Sequence, residues 1–300
     1  MTTWRVAVLG PGGVGGLLGA VLARAGVDVL CLARPGTAAH LQERGLELRS
    51  QHFGDIAVPV RAAEALDEPV DACLVTVKAH ALENAAGAVP PTALGDALVV
   101  PFLNGVDHVV WLRDRYPAEQ VVAATITVEA TRVAPGVVRH GTPFAMLQVG
   151  HGPAPRERVD AFVAMLAEAG LDVTPREDER VMLWSKLAVL APMALLTTHA
   201  MAPLGEVRTA RRDDLVAVVD EVVAAAGADG IALDGEELLA WLDSRPASFR
   251  SSMMNDAEAG RPLELDAIGG AILRAAGRGA VDVPVTARLV EELRARRQPD

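Results

Sequence analysis

A chain of 300 residues, 51% of them apolar, exceeds one ordinary domain and is long enough to bury two cores. Aromatics make up only 3%, so those cores must be built mainly from Ala, Val and Leu. The formal net charge of −11 opposes non-specific attraction to nucleic acid or anionic membrane, both of which require a basic face.

Residues 5–9 (RVAVL) form a short β-rich run, GPGGVGG follows, and the helix-forming LLGAVLARAG stops at Gly26. Buried strands are expected over residues 27–33, 71–77 and 97–104, with helical or irregular segments between them. Such alternation predicts a parallel sheet. Residues 121–141, β-branched and broken by Pro135 and Gly136, read as a hairpin late in the same domain, and residues 144–150 as a further strand. An amphipathic helix ending at Gly170 and the strand-like LDVTP then lead into a pattern that is almost wholly helical. There a long apolar helix runs through Lys186, a second covers residues 213–227 and a third residues 264–277. The tail ELRARRQPD reads as a solvated helix end. The expected fold class is α/β, a Rossmann-type doubly wound parallel sheet over residues 1–176 followed by an all-helical domain over residues 177–300.

Cys31 and Cys73 both fall in buried strand runs and read as reduced core thiols, which suits a reducing cytoplasm. No charged leader precedes the strand pattern that begins near Trp4. The longest apolar run, Leu187 to Leu196, is too short for a bilayer and contains Pro192, so neither secretion nor membrane insertion is expected. The seven histidines show no metal-ligand spacing, and no metal is predicted. No GxSxG elbow or P-loop GK[ST] appears.

Gly10, Gly12 and Gly15 give GxGxxG directly after a strand and at the opening of a helix, with Pro11, Gly13 and Val14 completing the loop. In that setting the first glycine allows the tight turn, the second lets the backbone approach a pyrophosphate, and the third lets helix pack on strand, with the helix N-terminus facing the phosphates. The second strand ends at Ala33-Arg34, where an NAD-binding chain would usually carry an acid for the ribose 2′-hydroxyl. An arginine there can instead pair with a 2′-phosphate, which favours NADPH. The bland alternative is a solvated Arg34.

Only two of the 28 basic residues are lysines, Lys78 and Lys186. A lysine that persists in so arginine-rich a chain suggests a position needing a group that can release its proton, which arginine cannot do. Lys186 sits in the apolar run WSKLAVLAPMALL with no neighbouring acid. A solvated, snorkelling lysine is therefore a poorer reading there than a catalytic one.

Several short motifs, taken in order, make the chain similar to the ketopantoate reductase family. They are the glycine loop, Val77-Lys78, Leu103-Asn104-Gly105-Val106, Trp184-Ser185-Lys186, Ser251-Ser252-Met253, Glu264-Leu265-Asp266 with Gly269, and Val283-Pro284 with Thr286. The resemblance implies NADPH-dependent reduction of the 2-oxo acid ketopantoate to pantoate. It implies Lys186 as proton donor, Glu264 as its partner carboxylate near the cofactor, Ser252 as a ligand of the substrate carboxylate, and Lys78 and Asn104 beside the cofactor's ribose and nicotinamide, with substrate held between the two domains. Read without the family, Glu264 could simply charge the first turn of a helix, Asn104 could form a turn before Gly105, and Ser252 could cap a helix. Glu129, after a β-rich run, is a further acid that the pattern leaves unassigned.

Where the family carries substrate-binding asparagines, this chain has Leu190, Ala194 and Leu204. A site stripped of buried polar groups loses its reason to require a substrate hydroxyl, so a more apolar 2-oxo acid or a related ketone is expected, with ketopantoate itself as the alternative. A reading of another class, a non-catalytic NADPH-binding sensor, would also permit these changes, but the joint retention of Lys186 and Glu264 argues against it. The alanine-rich helical domain is compatible with a homodimer.

Overall fold

The computed structural model describes residues 4–296. Its strands are β1 (Arg5–Leu9), β2 (Asp28–Leu32), β3 (Leu46–Ser50), β4 (Ile56–Val58), β5 (Arg61–Ala63), β6 (Ala72–Val75), β7 (Leu98–Pro101), β8 (Ala124–Thr127), β9 (Ala130–Ala134), β10 (Val137–His140), β11 (Met146–Gly150) and β12 (Asp172–Arg176). Among them lie helices α1 (Gly13–Arg24), α2 (Pro35–Arg44), α3 (Leu82–Ala86), α4 (Pro91–Leu94), α5 (Asp107–Arg115) and α6 (Arg156–Glu168). Beyond β12 the described elements are all helical: α7 (Glu179–Ala200), α8 (Leu204–Ala210), α9 (Arg212–Ala228), α10 (Gly235–Asp243), α11 (Ser252–Glu258), a π-helical turn (Asp266–Gly270), α12 (Ala271–Gly279) and α13 (Pro284–Ala295). The expected tail helix is seen through Ala295 with Arg296 as its C-cap, and residues 297–300 lie outside the described residues.

Two compact units result. The first contains the described residues up to Leu103 together with His108–Met182, and the second contains Asn104–Asp107 and the described chain from Leu183 onward.

In the first unit a five-stranded sheet runs in the order β5-β2-β1-β6-β7 with every pairing parallel. Connections leave β1 toward β2 on one side and return to β6 on the other, so chain direction reverses beside β1, the place where such sheets bind ligands at their carboxyl ends. The later strands form two further sheets, β4-β3-β10-β9 and β12-β11-β8. The expected hairpin is β9-β10, but it pairs with β3 and not with the parallel sheet, because His140 meets Ser50 and Val138 meets Leu48 in parallel register.

Helix α1 is pressed between two of these sheets. A side chain on Gly16 would come within 2.6 Å of Val138, and one on Gly19 within 3.0 Å of Leu46 and 3.7 Å of Val29. Residues Gly15–Leu22 are accordingly all buried. Glycine ordinarily costs an interior helical position up to about 1 kcal/mol, and here it is the residue that lets two sheets close on one helix. The core continues through Leu147, Val149, Phe162 and Leu166, with Trp4 and Phe162 rings 6.1 Å apart. Cys31 and Cys73 are buried, free thiols in this core, and burial pushes both up to about 12.

The second unit packs around α7. By length and composition α7 could cross a membrane, yet 72% of that window is buried inside the protein; Leu187, Ala188, Ala191, Ala194, Leu195 and Leu196 are core residues. Helix α13 is anchored from α9: Glu221 accepts from the backbone N–H groups of Val285 at 2.8 Å and Thr286 at 2.7 Å. This carboxylate satisfies two donors that a helix start leaves without an internal partner. Gly269 meets the same helix, leaving no room for a side chain beside Val290.

Candidate active site

The glycine loop sits at the carboxyl end of β1. Gly10 adopts φ +84°, a conformation costly for any residue with a Cβ, and a side chain on it would overlap Val77. A side chain on Gly13 would strike the Ala130 carbonyl, and one on Gly15 the Thr76 hydroxyl and the Gly10 carbonyl. By contrast, a Cβ on Gly12 meets nothing nearer than the Gly10 oxygen, at 3.8 Å. The first and third glycines of the motif are thus required by the protein's own packing, while the second leaves backbone open to a ligand. Thr76 braces the turn, its hydroxyl donating to the carbonyls of Leu9 at 3.0 Å and Gly10 at 2.9 Å. No side chain caps α1, whose first turn holds no acid, so the positive end of the helix dipole is not opposed locally. Pro11 and Val14 fill the loop between these glycines.

Arg34 is exposed and occupies the N-cap position of α2, directly after β2. Lys78, also exposed, precedes a short 3₁₀ turn that follows β6. Loop, arginine and lysine therefore all lie beyond the carboxyl ends of three adjacent parallel strands, β2, β1 and β6. Glu129 is exposed between β8 and β9; a side chain on Gly141 would come 2.8 Å from its carboxyl carbon. Its carboxylate also acts on His140, whose pKa is lowered chiefly by burial.

In the second unit Lys186 is half-buried on α7. Loss of water around its ammonium pushes the pKa down to about 8, and the carboxylate of Glu264 acts in the opposite sense, raising it. Glu264 is 5% exposed and lies immediately before the Leu265 turn that opens the π-helical segment. Asn104 donates from Nδ2 to Glu264 Oε2 at 3.1 Å. Lysine, glutamate and asparagine, drawn from three distant stretches of sequence, thus form one chain of interactions. Gly105 is a turn former with φ +90°, and its Cα lies so close to Ala267 that any side chain would overlap the carbonyl there.

The helix-capping alternative for Ser252 falls on its neighbour. Ser251 is the capping residue of α11, accepting from the Met254 N–H at 3.1 Å, and its hydroxyl meets that of Thr197 at 2.7 Å. Ser252 is exposed in the first turn. Leu190 is half-buried, while Ala194 and Leu204 are fully buried in the apolar core of this unit. The sequence reading did not find Thr197, Asp107, Arg274 or Glu221, whose partners lie 54 to 167 residues away.

A dinucleotide-type glycine cradle on a parallel sheet, with a helical unit that carries a lysine–carboxylate pair, defines a nicotinamide-dependent oxidoreductase. Residues 6–153 match the family model described as Ketopantoate reductase PanE/ApbA, and residues 178–297 match that of its C-terminal part. The chain belongs to the ketopantoate reductase family. It is 32% identical over 304 residues to the 2-dehydropantoate 2-reductase of Mycobacterium tuberculosis, covering 97% of each chain. A PanE/ApbA family ketopantoate reductase from Ralstonia eutropha superposes with a TM-score of 0.86 at 28% identity, covering 97% of each chain. D-mandelate dehydrogenase, solved with NADH and anilino(oxo)acetate, shares the fold with a TM-score of 0.90 at 22% identity and 98% coverage of both chains.

Proposed function

We propose that this protein is an NADPH-dependent reductase that converts a 2-oxo acid to a 2-hydroxy acid, acting on ketopantoate or on a more apolar relative of it. The observation that carries this reading is the Lys186–Glu264–Asn104 chain. When bound, NADPH supplies a hydride to the carbonyl carbon. The alkoxide that would otherwise form needs a cation and a proton, and an ammonium provides both. With its pKa near 8, Lys186 holds a transferable proton at Nζ near neutrality, and Glu264 keeps that proton from being lost too readily.

The residues present fit the cofactor. The open backbone at Gly12 and the uncapped start of α1 suit a pyrophosphate. Gly10, Pro11, Gly13, Val14 and Gly15 shape that cradle, Arg34 would pair with the 2′-phosphate, and Lys78 and Asn104 would line the ribose and nicotinamide. Ser252 would bind the substrate carboxylate. Leu190, half-buried, supports a substrate without the hydroxyl of ketopantoate, while Ala194 and Leu204 are taken up by the core. In this reading residues 1–176 bind the cofactor and residues 177–300 the substrate, in a homodimer located in the cytoplasm.

The test is turnover of NADPH with ketopantoate and with 3,3-dimethyl-2-oxobutanoate, its 4-deoxy analogue, for the natural protein and Lys186→Ala. Lysine-dependent turnover favouring the deoxy compound supports the full reading. Strong preference for ketopantoate removes the apolar-substrate part, and binding of NADPH with no turnover of either compound would favour a sensor.

A further inference from the structure

The segment Asn104–Asp107 groups with the second unit although its sequence lies between β7 and the body of α5. Three ties hold it to the π-helical turn. Two are the Gly105 approach to Ala267 and the Asn104–Glu264 hydrogen bond. The third is Arg274, in the first turns of α12. Its guanidinium donates from Nε and Nη2 to Asp107 Oδ2 at 3.1 and 2.8 Å. It also donates from Nη1 to Asp266 Oδ1 and from Nη2 to the Asp266 carbonyl, both at 3.0 Å.

Asp107 begins α5 and Asp266 begins the π-helical turn. The side chains just upstream of these two starts are Asn104 and Glu264, the bonded pair. One planar guanidinium therefore joins the starts of two helices, and a lysine, with a single point of charge, cannot reproduce that fork. With side chains 42%, 40% and 72% exposed for Arg274, Asp107 and Asp266, the clasp adds little to stability. Its value lies in placement.

We propose that Arg274 is a positioning residue: by clasping Asp107 to Asp266 it sets the Asn104–Glu264 pair and so aims the Glu264 carboxylate at the proton donor. This rests on the reading of Lys186 given above. The variants are Arg274→Ala and Arg274→Lys, assayed for kcat against pH with NADPH and whichever of the two 2-oxo acids the natural protein reduces faster. NADPH affinity, thermal unfolding and Lys186→Ala are measured in parallel.

For Arg274→Ala, kcat falls roughly ten- to a hundredfold, the scale set by small misplacements of a catalytic group. The alkaline limb of the profile moves to lower pH because a loosened carboxylate supports the ammonium less, while NADPH affinity, carried mainly by the glycine loop and Arg34 in the reading above, changes far less than kcat. Arg274→Lys recovers only part of the rate. If both variants keep the natural kcat and pH limb while Lys186→Ala is inactive, the clasp is merely structural and the proposal is overturned. If Lys186→Ala retains full activity, the reading beneath it has failed and the proposal goes with it. Should Arg274→Ala not fold, Asp107→Asn opens one side of the clasp, and an unchanged rate and limb there would equally overturn the idea.

Discussion

Replacing Lys186 by methionine keeps a long, unbranched side chain and removes the ammonium. In the natural protein the ammonium is held at a pKa of about 8 against an ordinary value of 10.5. At about 1.4 kcal/mol per unit, this corresponds to a penalty of about 3 kcal/mol for carrying the charge in the folded state. The sign follows from proton counts. Below pH 8 folded and unfolded chains both hold the proton, and the penalty is fully present. Between pH 8 and 10.5 the unfolded chain still holds it while the folded chain has released it, so stability from this group rises with pH. Lys186→Met should therefore melt higher than the natural protein near pH 7, with a gain of about 10 °C as the ceiling. That ceiling is already net of the attraction between the ammonium and Glu264, which enters the value of about 8. Thermal unfolding of both proteins from pH 6.5 to pH 10 measures the gap, which should narrow through the window above pH 8. A variant that melts lower at pH 7, or a gap indifferent to pH, would refute a desolvated lysine at this position.

Reduction by the natural protein should decline as pH rises through about 8, because the proton donor empties; a rate profile at saturating NADPH checks this. Arg34→Ala should weaken NADPH binding roughly ten- to a hundredfold, the scale of about 1.5–3 kcal/mol for a charged hydrogen bond, with NADH binding little changed, as fluorescence titration would show. Glu221→Ala should destabilise by about 1–2 kcal/mol through loss of a helix cap, read from chemical denaturation. Leu190→Asn should shift the ratio of kcat/KM toward ketopantoate over its 4-deoxy analogue, measured by direct competition.

Four strands of the parallel sheet, β1, β2, β6 and β7, were readable because they are continuous apolar runs, as buried strands are. Strands β3 and β5 were not. β3 alternates with Glu47 and Arg49, and β5 is Arg61-Ala62-Ala63, which has no local preference for extension and becomes a strand through pairing with β2. Lys186 stood out in the sequence through the scarcity of lysine and its apolar surroundings. Glu264 and Asn104 were found by resemblance, and the bond between them spans 160 residues, a separation that no local pattern encodes. Arg274 was invisible for the same reason, being one of many arginines in a charged chain. Its distinction lies in bridging two carboxylates that the fold brings together. The Ser251 cap shows the converse limit: two adjacent serines are indistinguishable as letters, and only backbone geometry at the helix start selects between them.

The assignment of Asn104–Asp107 to the second unit has a consequence for how such proteins can be recombined. A single crossover near residue 182 would look like a clean exchange of halves, yet it would separate Asn104 from Glu264 and Asp107 from Arg274. A chimaera joining this chain's first half to another's second half inherits one side of each contact from each parent. Successful swaps should be those that transplant the short segment along with the helices it serves, so that the smallest exchangeable piece of this molecule is discontinuous in its gene.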